Sequence, residues 1–124
     1  MDAQELTAPQ RRRLDTLLRK RRDDAEHHLI VLRESMGDVQ TARSDASADD
    51  EHDPEGPTMS QEWSSLNGLV ADAERQLGAI DRALERMRAA TYGTCTRCGK
   101  PIGMGRLEAR PAAELCIDCA RLVG

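Results

Sequence analysis

The sequence predicts an all-α protein: a long antiparallel coiled-coil helical hairpin followed by a small C-terminal four-cysteine zinc-finger module. Three observations lead there. Aromatic residues are 2% of the 124, with Trp63 and Tyr92 alone and no Phe, and the 39% apolar content is mostly Ala and Leu. Such a chain builds no bulky core, and pairing of helices is the simplest way to bury what it has. Met59, Trp63, Leu66, Val70, Ala73, Leu77, Ile80, Leu84 and Met87 alternate at spacings of four and three, an unbroken heptad seam. All four cysteines fall in the last thirty residues, as two C-x-x-C pairs.

The first helix opens near residue 8, where Thr7 is placed to cap and Pro9 suits a first helical turn. Leu14, Leu18, Ala25, Leu32 and Val39 recur at helical spacing, with Arg21, His28 and Ser35 on the same stripe. Leu17, Leu29, Ile30 and Met36 widen it. Gly37 and Asp38 weaken the pattern, so the helix is expected over about residues 8–38. The heptad seam places the second helix over about residues 58–90, with Thr58 or Ser60 as cap and Glu62 in its first turns. Each helix of about 30 residues is roughly 45 Å long. Two such helices in sequence, each with one apolar stripe, fold back most simply as an antiparallel hairpin over residues 1–91. The connection, about residues 40–57, holds Pro54, Gly56 and Pro57 and forms the tip.

Charge is segregated along the chain. The net charge is −4, which argues against non-specific binding to DNA. Residues 38–55 carry seven acids (Asp38, Asp45, Asp49, Asp50, Glu51, Asp53, Glu55) against one base, Arg43. A basic cluster, Arg11 to Arg13 and Arg19 to Arg22, lies near the beginning. Either run is by default a solvated surface, but the acids are placed at the end of a stiff rod, where a probe would be. No apolar stretch approaches the roughly 18 residues of a membrane span, and the N-terminus lacks a signal-peptide core. A soluble, cytoplasmic protein is expected.

Cys95 and Cys98 are separated by seventeen residues from Cys116 and Cys119. Two such knuckles are a zinc signature: each turns tightly so that two sulfurs face one point, and four thiolates close a tetrahedral shell. A closed shell leaves no position for water, so one structural Zn2+ is expected. The alternatives are two disulfides or a redox pair, which fit a chain without a secretory signal less well. Gly99, after Cys98, supplies the flexible position such a turn often needs. Residues 92–124 are too few to fold without a metal, the threshold being about 40 residues. A short helix is expected from the second knuckle through Ala120 to Val123. No catalytic residues are identified: His27 and His28 point to different faces of a helix, His52 lies in the tip, and neither a nucleophile elbow nor a phosphate-binding loop occurs.

The run Tyr92 to Ile102 (YGTCTRCGKPI), and above all Arg106 to Cys119 (RLEARPAAELCIDC), closely resembles the DksA/TraR zinc-finger family. With the preceding hairpin the resemblance extends over nearly the whole chain. It implies a bacterial, non-enzymatic transcription regulator that binds RNA polymerase rather than specific DNA. It implies too that the coiled coil enters the secondary channel, with acidic tip residues approaching the catalytic centre. The family's best-studied tip reads D-x-x-D-x-A. Here that spacing falls on Asp50 and Asp53, with Glu51 between them and Glu55 in place of the alanine. Arg110 matches one basic residue of members that respond to ppGpp, whereas Ala79 and Ala120 stand where those members carry lysine. A weak or absent ppGpp response is therefore expected, from a protein that acts as a monomer. Two other classes compete with this reading: a zinc-ribbon nucleic-acid binder, and a structural coiled-coil adaptor.

Overall fold

The computed structural model describes residues 4–49 and 56–123. Four helices follow in order: α1 (Ala8–Asp49), α2 (Gly56–Arg88), α3 (Met104–Ala109) and α4 (Ile117–Val123). An isolated antiparallel bridge joins Thr94 to Pro101. Among the described residues no helix is long and apolar enough to cross a membrane.

The start of α1 is a reciprocal cap. The Gln10 backbone N–H donates to Thr7 Oγ1 at 3.2 Å, and the Thr7 N–H donates to Gln10 Oε1 at 2.9 Å. Two backbone donors that the helix leaves open are thus satisfied. The far end of α1 differs from expectation: the helix continues past Gly37 and Asp38 to Asp49. One exposed glycine costs a helix only about 1 kcal/mol. The apolar stripe meanwhile continues to buried Val39, and Ala42, Ala46 and Ala48 are strong helix formers. Residues 40–49, expected in the tip, are therefore helical, and Asp38, Asp45 and Asp49 belong to α1. The four tip acids Asp50, Glu51, Asp53 and Glu55 lie outside the described residues.

The stripe of α1 also differs in detail. Arg21 and His28 are exposed, and Arg22 and Leu29 turn inward, giving Leu18, Arg22, Ala25, Leu29, Leu32, Met36 and Val39 at alternating spacings of four and three, with Leu14 a further four residues before them. The seam of α2 follows the sequence pattern from Met59 to Met87, every member buried or half-buried. Ala83 joins it, fully buried.

The chain packs as two compact units, Met1–Asp23 with Gly78–Gly124, and Asp24–Leu77. The boundary between these units falls inside the long helices, after Asp23 on α1 and after Leu77 on α2. In the first unit the roots of α1 and α2 lie together with the finger, and Leu14, Leu18, Ile80, Ala83, Leu84, Tyr92, Ile102 and Leu107 are buried. Arg22 Nε bonds Asp81 Oδ1 at 2.6 Å, and Arg13 pairs with Glu108 of α3 at 3.2 Å. In the second unit Leu29, Leu32, Val70 and Ala73 form a core flanked by Met36, Leu66 and Leu77. Arg33 pairs with Glu74 at 3.4 Å, and Arg43 lies 5.7 Å from the Trp63 ring centroid. Residue numbers rise on one helix as they fall on the other, so the two long helices pack antiparallel, as a hairpin.

Candidate metal centre

The end of α2 aims the chain into the first knuckle. Ala90 takes a left-handed φ of 60°, the Thr91 N–H reaches back to Arg86 O at 2.9 Å, and the Ala90 N–H to Met87 O at 3.3 Å. This paired closure caps the last carbonyls and turns the chain off the helix axis. Gly93 follows with φ 92°, a left-handed angle that favours glycine, and a Cβ there would also crowd Leu6 Cδ1 at 3.0 Å. The Ile102 N–H then bonds Gly93 O at 2.8 Å, the Cys95 N–H bonds Lys100 O at 2.8 Å, and the Gly99 N–H bonds Cys95 O at 3.0 Å. These bonds fold Cys95 to Cys98 into a tight turn, with Gly99 at φ 76°.

The second knuckle is the first turn of α4. The Ala120 N–H bonds Cys116 O at 2.9 Å, and the Cys119 N–H points at Cys116 Sγ from 3.5 Å. Two bonds tie the approach to this knuckle to the first, and a third ties it to α3. The Thr96 N–H and hydroxyl both donate to Glu114 O, at 2.9 and 3.3 Å, and Arg106 Nε donates to Leu115 O at 2.8 Å. The α3 helix, for which the sequence offers only six residues without periodicity, supplies Arg106 and buries Leu107.

The result brings all four cysteines together, with every Sγ within 4.8 Å of the others. Cys95 and Cys119 are buried, Cys116 is half-buried and Cys98 is exposed. Cys98 Sγ and Cys116 Sγ are 3.8 Å apart. A tetrahedron of thiolates at 2.3 Å from zinc has an edge of about 3.8 Å. The same distance is nearly double the S–S bond of roughly 2 Å, and all four cysteines are free, so the disulfide alternative does not describe this cluster. The protonation pattern also suits a cation. Burial pushes the Cys95 thiol up, but backbone N–H groups of Cys116, Cys98 and Arg97 outweigh it and bring it below the usual thiol range. Burial and the neighbouring sulfurs both push Cys119 well above it. One thiolate forms readily and the next is resisted by like charge, a balance that a divalent soft cation reverses. The site holds one structural Zn2+, with four protein ligands and no open position.

A second layer, outside the reach of spacing rules, fixes the finger to α2. The Glu114 carboxylate accepts from Arg82 Nε at 3.2 Å and from Arg86 Nη1 at 3.3 Å. The buried Tyr92 hydroxyl donates to Pro111 O at 2.8 Å. Burial, partly opposed by the Arg86 charge, pushes the Tyr92 phenol up to about 12. These pairs lie 19 to 32 residues apart in the chain, and no periodicity announces them. Of the finger's basic residues, Arg106 is committed to Leu115 O, whereas the Arg110 side chain is exposed at the C-terminus of α3. Ala79 and Ala120 are half-buried.

These features define a helical hairpin bearing a four-cysteine zinc finger. Residues 90–123 match the family model described as the prokaryotic dksA/traR C4-type zinc finger. Its sequence is 42% identical over 71 residues to the RNA polymerase-binding transcription factor DksA of Escherichia coli K12, covering 56% of this chain and 47% of that protein. It is 31% identical over 110 residues to the protein of the same name from Buchnera aphidicola, covering 88% of this chain and 65% of the other. The chain thus spans about half the length of the enterobacterial relatives it matches. Among solved structures, the transcription factor DksA2 of Pseudomonas aeruginosa aligns over 93% of this chain and 83% of its own, with TM-score 0.78 at 24% identity, a likeness of fold. The DnaK suppressor protein of Agrobacterium tumefaciens aligns over 90% and 91%, with TM-score 0.55 and 28% identity.

Proposed function

We propose that this chain is a bacterial transcription regulator that binds RNA polymerase through the secondary channel and modulates initiation with the acidic tip of its hairpin. The observation that carries this reading is the joint match of finger and hairpin to relatives named as RNA polymerase-binding factors. The tip residues assigned to regulation are Asp50 and Asp53, supported by Glu51 and Glu55, which follow α1 in the sequence. Carboxylates placed near a catalytic magnesium ion, in a channel that excludes bulk water, act through strong local fields. The chain itself catalyses nothing in this scheme. It acts as a cytoplasmic monomer, and its metal is structural.

The reading of the finger as a nucleic-acid binder loses support from Tyr92, the finger's one aromatic, which is buried and bonded to Pro111 O and so offers no stacking surface. The ppGpp response is weak or absent in this proposal. Arg110 stands without lysines at positions 79 and 120, which leaves a polyanion few charge-assisted partners. The test is multi-round transcription with purified polymerase, with and without this protein and ppGpp, beside a retention assay on polymerase core and on DNA. Retention on polymerase with altered initiation supports the proposal. Retention on DNA alone, or no effect on transcription at any concentration, sinks it. Strong potentiation by ppGpp, on a polymerase lacking its own separate ppGpp site, would reject the Arg110 argument.

A further inference from the structure

Two glycines inside the long helices have no packing reason to be there. Gly37 of α1 and Gly68 of α2 each have no atom within 4 Å of the place a Cβ would occupy. Alanine would fit at both, and each glycine lowers local helix stability about fivefold relative to it. The two positions share one level of the hairpin. Two cross-helix contacts bracket them: Arg33 with Glu74 on one side, and Arg43 with Trp63 on the other. Gly37 lies between Arg33 and Arg43, and Gly68 between Trp63 and Glu74.

The packing at that level is also soft. Leu29, Leu32, Val39, Val70 and Ala73 are buried, but between Leu32 and Val39 on α1, and on the tipward side of Val70 on α2, the seam is made by Met36 and Leu66, both only half-buried. Methionine adapts to changing shapes at little penalty. Thr41 adds a third feature. Its hydroxyl donates to Gly37 O at 3.0 Å, competing for the carbonyl that the helix ladder uses. Such back-bonding loosens and bends helices.

We propose that Gly37 and Gly68 form a shared hinge, at which α1 and α2 bend together so that their tipward segments change direction relative to the Leu29, Leu32, Val70 and Ala73 core. A single glycine in one helix would be held straight by its partner. Two at one level, with an adaptable side chain between them, release both helices at once. The bending stands on the structure alone. Its use, letting the acidic tip adjust its approach within a channel, rests on the polymerase reading.

Trp63 is the only tryptophan and lies on the tipward side, so the native zinc-loaded chain carries its own probe. Time-resolved anisotropy of Trp63 should show a nanosecond segmental component in the native protein. In Gly37→Ala/Gly68→Ala that component should shrink at least twofold, and Thr41→Val alone should shrink it in part. Gln76→Ala, on the core side, should leave it unchanged. Amide exchange should slow about fivefold per substitution in residues 38–45 and 59–67, and stay unchanged in residues 25–33 and 70–77. An unchanged anisotropy decay, or protection rising equally on both sides of the level, overturns the hinge and leaves two glycines that merely lower propensity. In transcription, the double variant should bind polymerase as the native chain does but shift open-complex lifetime less. If native and double-variant chains bind and regulate alike, the regulatory use falls while the mechanical result stands. If the native chain fails to bind polymerase at all, it is the functional reading that fails.

Discussion

Glu114 stands two residues before Cys116 and takes both Arg82 and Arg86 of α2 on one carboxylate oxygen, while its backbone carbonyl holds Thr96 of the first knuckle. One residue therefore ties the second knuckle both to the first and to the hairpin. Arg86 is the partner with most at stake: its side chain is 16% exposed, and its Nη2 is buried without a hydrogen-bond partner. Glu114→Gln removes the charge facing a largely desolvated guanidinium and should cost about 1–2 kcal/mol, less than a fully buried pair because Glu114 and Arg82 meet solvent. Urea denaturation of the zinc-loaded protein reads this, and loss equal to that of an exposed pair such as Arg88 with Glu85 would remove the clamp from the account. Tyr92 gives a second test at this scale. Its phenol titrates near 12 in the folded chain, against an ordinary 10. The folded value is the higher one, so the stabilisation of the protonated form is fully present below pH 10 and is lost as pH rises to about 12. With one tyrosine in the chain, tyrosinate absorbance follows this directly, and a midpoint near 10 in the native state would contradict the buried hydroxyl. Tyr92→Phe should leave Pro111 O unsatisfied, at about 1–3 kcal/mol.

At the scale of elements, the sequence shows some things plainly and others not at all, for physical reasons. The α2 seam is legible because nine positions repeat one period, and the metal ligands are legible because tetrahedral thiolate chemistry dictates their spacing. The end of α1 is not legible, since Gly37 is a small penalty that Val39 and three alanines outweigh. The inward turn of Arg22 in place of Arg21 follows from its partner Asp81 across the hairpin, a contact no local pattern encodes. Neither α3 nor the Glu114 clamp can be read from spacing, because each is set by residues far along the chain. Burial also grades the seam. Leu84 is buried, and Leu84→Ala should cost about 2–4 kcal/mol; Leu77 is half-buried, and its truncation should cost less than half of that. Asp72→Ala and Glu85→Ala, both exposed, should stay within about 0.5 kcal/mol. Equal losses at Leu84 and Glu85 would reject the register. The finger depends on its metal in a different way, having few buried side chains beyond Tyr92, Ile102 and Leu107. Chelation should unfold residues 92–123 and release Tyr92 to titrate near 10, whereas a purified chain with its fold intact and less than about half an equivalent of zinc would refute a structural metal.

Over the whole molecule, charge is divided by packing unit more sharply than by sequence run. Residues 1–23 and 78–124 carry fifteen bases and nine acids, a net +6; residues 24–77 carry three bases and thirteen acids, a net −10. The carboxylates of the first unit are largely used within it: Asp15, Asp81, Glu85, Glu108 and Glu114 each meet an arginine. Its surface therefore offers positive charge, and the second unit offers negative charge. This division separates two tasks in the proposed function. Attachment to polymerase draws on the contact area of the helices and on the basic unit, and should weaken as salt rises. Regulation draws on carboxylates at the tip. Asp50→Asn with Asp53→Asn removes two charges from the thirteen acids of one unit and none from the other, so it should change polymerase affinity less than threefold. If the tip acts through its charge, the same variant should abolish the effect on open-complex lifetime, because an amide of equal shape neither approaches a magnesium ion as a ligand nor repels the charges around it. Pro54→Ala, which alters shape and keeps charge, should do less. A solvated linker with no regulatory part predicts that both variants behave as the native chain in both assays. Measuring affinity and open-complex decay side by side decides the matter: native decay modulation by the double Asn variant at saturating occupancy would leave the acidic stretch as a linker and move regulation to the helices.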